Sequence, residues 1–144
     1  MDDAATQSLD AFLQRVPYVR FLGMRVELAG DEMTAVLPFS QHLIGNPVLP
    51  AIHGGVIGAF MELTALAQLA LAEPGGRVPK TIDVTIEYLR SAGARDTYAR
   101  AILRKVGRRV ANVQVEAWQE SRTKLVAGLT GHFLLRSSGE PVAP

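Results

Sequence analysis

The 144-residue chain contains no cysteine. A disulfide framework, a thiol nucleophile and any cysteine-based metal site are therefore excluded. Histidine is scarce too: the three present, His42, His53 and His132, are scattered, with no close His-x-x-x-His pair and no acidic cluster beside them. No metal and no other cofactor are expected from such a pattern. Neither charge is in large excess, with 15 Lys and Arg against 14 Asp and Glu, so nothing suggests nucleic acid as a partner. A long uninterrupted apolar run is also missing. The longest, Val56 to Ala72, is broken by Glu62, Thr64 and Gln68, and a carboxylate near the centre of a spanning helix would be costly, so no membrane association is expected. The opening Met1-Asp2-Asp3 carries acid where an export signal needs base, which favours a cytoplasmic location.

What is present fits one globular domain over residues 1–144, for the length leaves no room for two ordinary cores. Residues 1–20 form a helix and lead-in: Leu9, Phe12, Leu13 and Val16 have helical spacing, Ser8 is a candidate N-cap, and Pro17 is read as the stop. Two short strands follow, Met24 to Ala29 and Met33 to Pro38, joined by a turn at Gly30-Asp31-Glu32. Phe39 to Ile52, with Gly45, Asn46, Pro47 and Pro50, reads as an irregular loop, and loops of that length tend to be functional. Gly54 to Leu71 is a long apolar helix, stopped by Glu73-Pro74-Gly75-Gly76. The periodicity then switches to two. Thr81 to Tyr88 alternates as a half-buried strand, followed by strands over about Thr97 to Lys105, Arg109 to Glu120 and Lys124 to Leu135. Residues 137–144 read as a flexible tail. The class is α+β, with an antiparallel sheet wrapping one long apolar helix. A helix apolar on nearly every face must be covered on most sides, so a second subunit is expected to complete the enclosure.

Glu62 is the candidate for chemistry. It lies among Ile57, Phe60, Met61, Leu63 and Leu66, where a carboxylate without partners would cost several kcal/mol or be driven protonated. The plainer reading is a Glu on a solvent-facing stripe. The motif before it favours a site. His53-Gly54-Gly55 stands at the helix start, where bare amides and the helix dipole suit an anion or a developing oxyanion. Glu62 follows Gly55 by seven residues, which puts both on one helix face about 10 Å apart. Asn46 before Pro47 reads either as a turn residue or as a hydrogen-bond donor to a water or thioester. His53 reads either as a loop-satisfying side chain or as a substrate contact. Arg104, Lys105, Arg108 and Arg109 crowd a hairpin around Gly107; they are either a solvated turn or a holder of phosphates, with Arg90 as a further candidate.

Gly45-Asn46-Pro47, then His53-Gly54-Gly55, then Glu62 together resemble the hotdog-fold acyl-CoA thioesterases of the phenylacetate-degradation type. The likeness continues through Thr81 to Arg90 and through Val126 to Phe133. It implies a hotdog fold, acyl-CoA as substrate, and homodimers frequently paired into homotetramers. It implies Glu62 as nucleophile or general base, Gly54 or Gly55 as the amide that polarises the thioester carbonyl, and Asn46 and His53 as loop residues near the reacting group. It places Thr81 where a Ser or Thr of the neighbouring subunit reaches the attacking water. Phenylacetate-type enzymes usually carry Asp at the Glu62 position; Glu is more typical of the 4-hydroxybenzoyl-CoA thioesterases. The acyl group expected first is aromatic, with medium-chain groups close behind. Enoyl-thioester hydratases of the same fold need an acid in the loop ahead of the helix, and Phe39 to Ile52 has none. A domain that binds acyl-CoA without turnover would need the same pocket and basic residues.

Overall fold

A computed structural model describes residues 3–72 and 77–137. Its sheet has six strands in the order β1-β2-β6-β7-β8-β5, every neighbouring pair antiparallel. The strands are β1 (Arg25–Ala29), β2 (Glu32–Leu37), β5 (Arg77–Tyr88), β6 (Thr97–Val106), β7 (Val110–Trp118) and β8 (Leu125–Ser137). Helix α3 (Gly54–Ala72) packs on β5, β6, β7 and β8. This is the hotdog arrangement, with the long apolar helix laid across an antiparallel sheet. By length and composition α3 could cross a membrane, but half of that span is buried inside the fold. Phe60, Met61, Ala65 and Leu69 are fully covered and meet Val113, Val115, Leu129 and Phe133 in one core. Thr64, buried mid-helix, returns its hydroxyl to the Phe60 carbonyl at 2.7 Å, which satisfies it locally. One stripe of α3, Ala59, Leu63, Leu66 and Ala70, stays only half-buried.

Three expectations need correction. The first helix, α1, spans Asp3–Leu13, so Ser8 lies within it rather than capping it. Pro17 does not end a segment but opens α2 (Pro17–Leu22) from the first helical position, where its missing N–H costs nothing. The stretch from Phe39 to Ile52 is structured: a 3-10 turn at Gln41–Leu43 leads into a small hairpin of β3 (Ile44–Asn46) and β4 (Ala51–Ile52). The stop at Glu73-Pro74-Gly75-Gly76 and the tail beyond Ser137 lie outside the described residues. The turn at Gly30 takes a positive φ of 67°, a conformation glycine adopts without strain.

The two sheet edges differ. On β1, the N–H of Leu28 donates to Thr6 Oγ1 and that of Val26 to Asp10 Oδ1, while Gln14 Nε2 donates to the Met24 carbonyl. Four helical residues rise about 6.0 Å and two strand residues about 6.6 Å, so one face of α1 keeps pace with the edge it covers. On the far side, among the described residues, β5 pairs only with β8.

Candidate active site

Thr81 is brought to Glu62 by a defect in the strand. On the alternation of the sequence, Ile82, Val84, Ile86 and Tyr88 face inward and Thr81 outward. The register instead shifts between Thr81 and Asp83, leaving Ile82 as an extra residue that is 53% exposed. Such a bulge reverses the facing of everything before it. Thr81 consequently turns to the helix, and its hydroxyl donates to Glu62 Oε2 at 2.6 Å. The contact is made within one chain. Glu62 is half-buried, and its other carboxylate oxygen has no hydrogen-bond partner among the described residues.

At the start of α3 the amides are already divided. The Val56 and Ile57 N–H groups donate to the His53 carbonyl at 3.0 and 3.2 Å. The Gly55 N–H donates to His53 Nδ1 at 2.8 Å, so His53 is the side-chain cap of the helix. A ring nitrogen that accepts carries no proton, which leaves the proton of the neutral ring on Nε2. The Gly54 N–H has no hydrogen-bond partner among the described residues. It borders an open cavity of about 390 Å³ lined in part by Ile52, Ile57, Tyr88, Arg90 and Val126. Glu62 is not among the cavity's lining residues; it stands two turns along the helix.

Asn46 shapes a turn, its Oδ1 accepting from the Val48 N–H at 3.0 Å. Arg90 and the basic hairpin are not brought together. Arg90 lies past Tyr88, which pairs with Ala127, whereas Arg109 adjoins Val110, which pairs with Leu134. Those two levels are about 23 Å apart along β8 at roughly 3.3 Å per residue. Arg90 donates to the Leu125 carbonyl at 2.9 Å, Arg104 donates twice to Gln114, and Lys105, Arg108 and Arg109 are exposed. His42 is tied to Ser40 and to the Phe21 carbonyl, a local role. Among the described residues no three His, Asp or Glu side chains cluster as metal ligands would.

Two residues to which the sequence reading gave no role belong to the site. A Cβ on Gly45 would meet the His53 backbone at 2.6 Å, so only glycine lets β3 pass beside the capping histidine. Tyr88 donates to the Gly54 carbonyl at 2.7 Å. The Tyr88 contact joins segments that no local pattern links. His132, which lacked context, holds Asp83 Oδ1 at 2.8 Å and Asn112 at 3.2 Å across three strands of the sheet.

Residues 49–126, more than half of the chain, match the family model of the thioesterase superfamily, an interval that takes in His53, the two glycines, Glu62 and Thr81. The chain belongs to the thioesterase superfamily. This thioesterase is 26% identical to the Escherichia coli medium/long-chain acyl-CoA thioesterase YigI, over 88% of its own length and 90% of that protein's. A solved structure from Chromobacterium violaceum is 34% identical, with 93% of each chain covered and a TM-score of 0.74. A Ralstonia eutropha protein related to phenylacetic acid degradation is 25% identical, covering 88% of this chain and 98% of that one, with a TM-score of 0.75. The thioesterase is thus a thioester hydrolase by family, on the fold those structures share.

Proposed function

We propose that the chain hydrolyses an acyl-coenzyme A thioester to the free acid and coenzyme A, with Glu62 as general base. The observation that carries this reading is the half-buried Glu62 carboxylate held on one oxygen by Thr81 at 2.6 Å. The open oxygen takes a proton from water as the water oxygen bonds to the thioester carbon. The carbonyl electrons move onto oxygen, where the Gly54 N–H donates to the developing charge. Collapse breaks the C–S bond, and the departing sulfur takes the proton from Glu62. Thr81 holds the carboxylate in one orientation throughout.

Coenzyme A as the leaving group is supported by the E. coli relative, which acts on medium/long-chain acyl-CoA, and by Arg90 at the cavity beside Gly54. That relative favours an aliphatic acyl chain over the aromatic group expected first. The half-buried stripe of α3 and the open β5 edge support a homodimer, and pairing of dimers would give the homotetramer; light scattering tests both. The reading itself is tested by thiol release from a panel of aromatic and aliphatic acyl-CoAs, with wild type and Glu62→Gln. Activity lost in the variant while the fold persists is expected. Activity unchanged in the variant removes Glu62 from the mechanism. Binding of acyl-CoA by wild type without turnover would make the protein a carrier instead.

A further inference from the structure

Two adjacent glycines leave the chain entering α3 with more backbone freedom than any other pair of residues would. A donor built on the Gly54 N–H needs its direction fixed from outside the helix. Two side chains grip the Gly54–Gly55 peptide, one at each end. Its carbonyl oxygen accepts from Tyr88 Oη at 2.7 Å, and its N–H donates to His53 Nδ1 at 2.8 Å. The peptide before it is held through the His53 carbonyl, which accepts from Val56 and Ile57. Peptide groups are planar, so holding the planes on both sides of the Gly54 Cα fixes both of its dihedrals. The free N–H then has one direction.

Tyr88 is poorly placed to serve the core. It is 55% exposed, at the end of an edge strand. Its ring lies along two glycines one turn apart: a Cβ on Gly54 would stand 3.4 Å from the ring, and one on Gly58 would stand 3.3 Å from the hydroxyl. The ring also lines the cavity that Gly54 borders. At Gly58 the nearer neighbour is Ile86 Cδ1, 2.8 Å from where a Cβ would stand, so both side chains leave room only for glycine there, and the Tyr88 hydroxyl ends on the peptide that follows the free amide. A second donor on a peptide oxygen also polarises that peptide's own N–H, which strengthens the Gly55 bond to His53.

From these contacts we infer that Tyr88 is a positioning residue for thioester hydrolysis, its hydroxyl clamping the Gly54–Gly55 peptide and so aiming the Gly54 N–H at the substrate carbonyl. The inference rests on Gly54 being the carbonyl donor. Tyr88→Phe removes the hydroxyl and keeps the ring. Losing an oxyanion donor outright costs about 10²–10³ in kcat, and loosening one costs less; about tenfold is expected here. KM for the same acyl-CoA stays within about twofold, because the cavity wall is intact. A raised KM with unchanged kcat overturns the inference and makes Tyr88 a wall of the substrate site; no change in either overturns it outright. A measurement on the unaltered protein stands independently of how the variant folds. By amide hydrogen exchange, Gly55 is protected and Gly54 is fast, and equally fast exchange at both overturns the clamp. If Glu62→Gln abolishes activity and Tyr88→Phe leaves it untouched, the positioning role alone falls. Wild-type protein inactive on every thioester removes the hydrolysis reading as well.

Discussion

The Thr81 hydroxyl reaches Glu62 at 2.6 Å because Ile82 is pushed out of the β5 ladder. A strand without that bulge would present Ile82 to the helix and Thr81 to solvent. Thr81→Val keeps the shape and removes the donor, so kcat should fall roughly tenfold or more, as expected when a base of this kind loses its orientation. Thr81→Ser should retain most of the activity. Steady-state thiol release distinguishes them, and equal rates for Val and Ser would detach the hydroxyl from catalysis.

General-base and nucleophilic attack by Glu62 differ in where solvent oxygen goes. In a single turnover in ¹⁸O-water with enzyme in excess, a general base places the label in the released acid. A covalent anhydride, with water attacking its enzyme-side carbonyl, would leave the label on Glu62 instead. Mass spectrometry of the product reads the first outcome, and of the peptide containing Glu62 the second.

His53 caps α3 through its Nδ1. His53→Ala should cost about 1 kcal/mol, the usual worth of such a cap, and lower Tm by a few degrees. His53→Asn, which can accept the same N–H, should recover most of that stability. Failure of Asn to recover it, in a thermal melt, would mean that the ring acts by packing.

Gly45→Ala is expected to be more harmful. Its Cβ would fall 2.6 Å from the His53 Cα and 2.8 Å from its Cβ, and overpacking of this kind typically costs about 1–3 kcal/mol. Both Tm and kcat should drop together, since the histidine that must yield also caps the helix that carries Glu62. A variant with wild-type Tm and kcat would show that the hairpin moves aside freely.

Arg90 and the basic hairpin stand at opposite ends of the sheet, so they should separate in binding. Arg90→Gln should raise KM for an acyl-CoA several-fold, with less effect on a thioester of N-acetylcysteamine, which lacks the nucleotide phosphates. The pair Arg104→Gln and Lys105→Gln reports on the other end. If only the hairpin variant moves KM, the cavity beside Gly54 is not where the carrier binds.

The legibility of the chain follows the reach of its interactions. The α3 helix and the long strands were plain because each carries a sustained period, as in Val110 to Trp118, where every second residue is buried. The segment 39–52 was opaque because strands of three and two residues, separated by Pro47 and Pro50, leave no period to detect. Pro17 was misread because the residue that ends one helix best also begins the next. For the site, His53-Gly54-Gly55 and Glu62 share one local motif and could be read together. Tyr88 acts on Gly54 from 34 residues away, and the Ile82 bulge inverts a pattern that looks regular in the sequence. Neither leaves a local trace.

The sheet's two edges, sealed along β1 by Thr6, Asp10 and Gln14 and, among the described residues, open along β5, set a limit on growth. A sheet with one available edge can be lengthened by its own copy once, edge to matching edge, and the product has no available edge left. Two polar side chains of a short N-terminal helix and Gln14 just past its end therefore act as a terminator: they make any edge-to-edge association self-limiting at two, where a second exposed edge would have licensed a fibre.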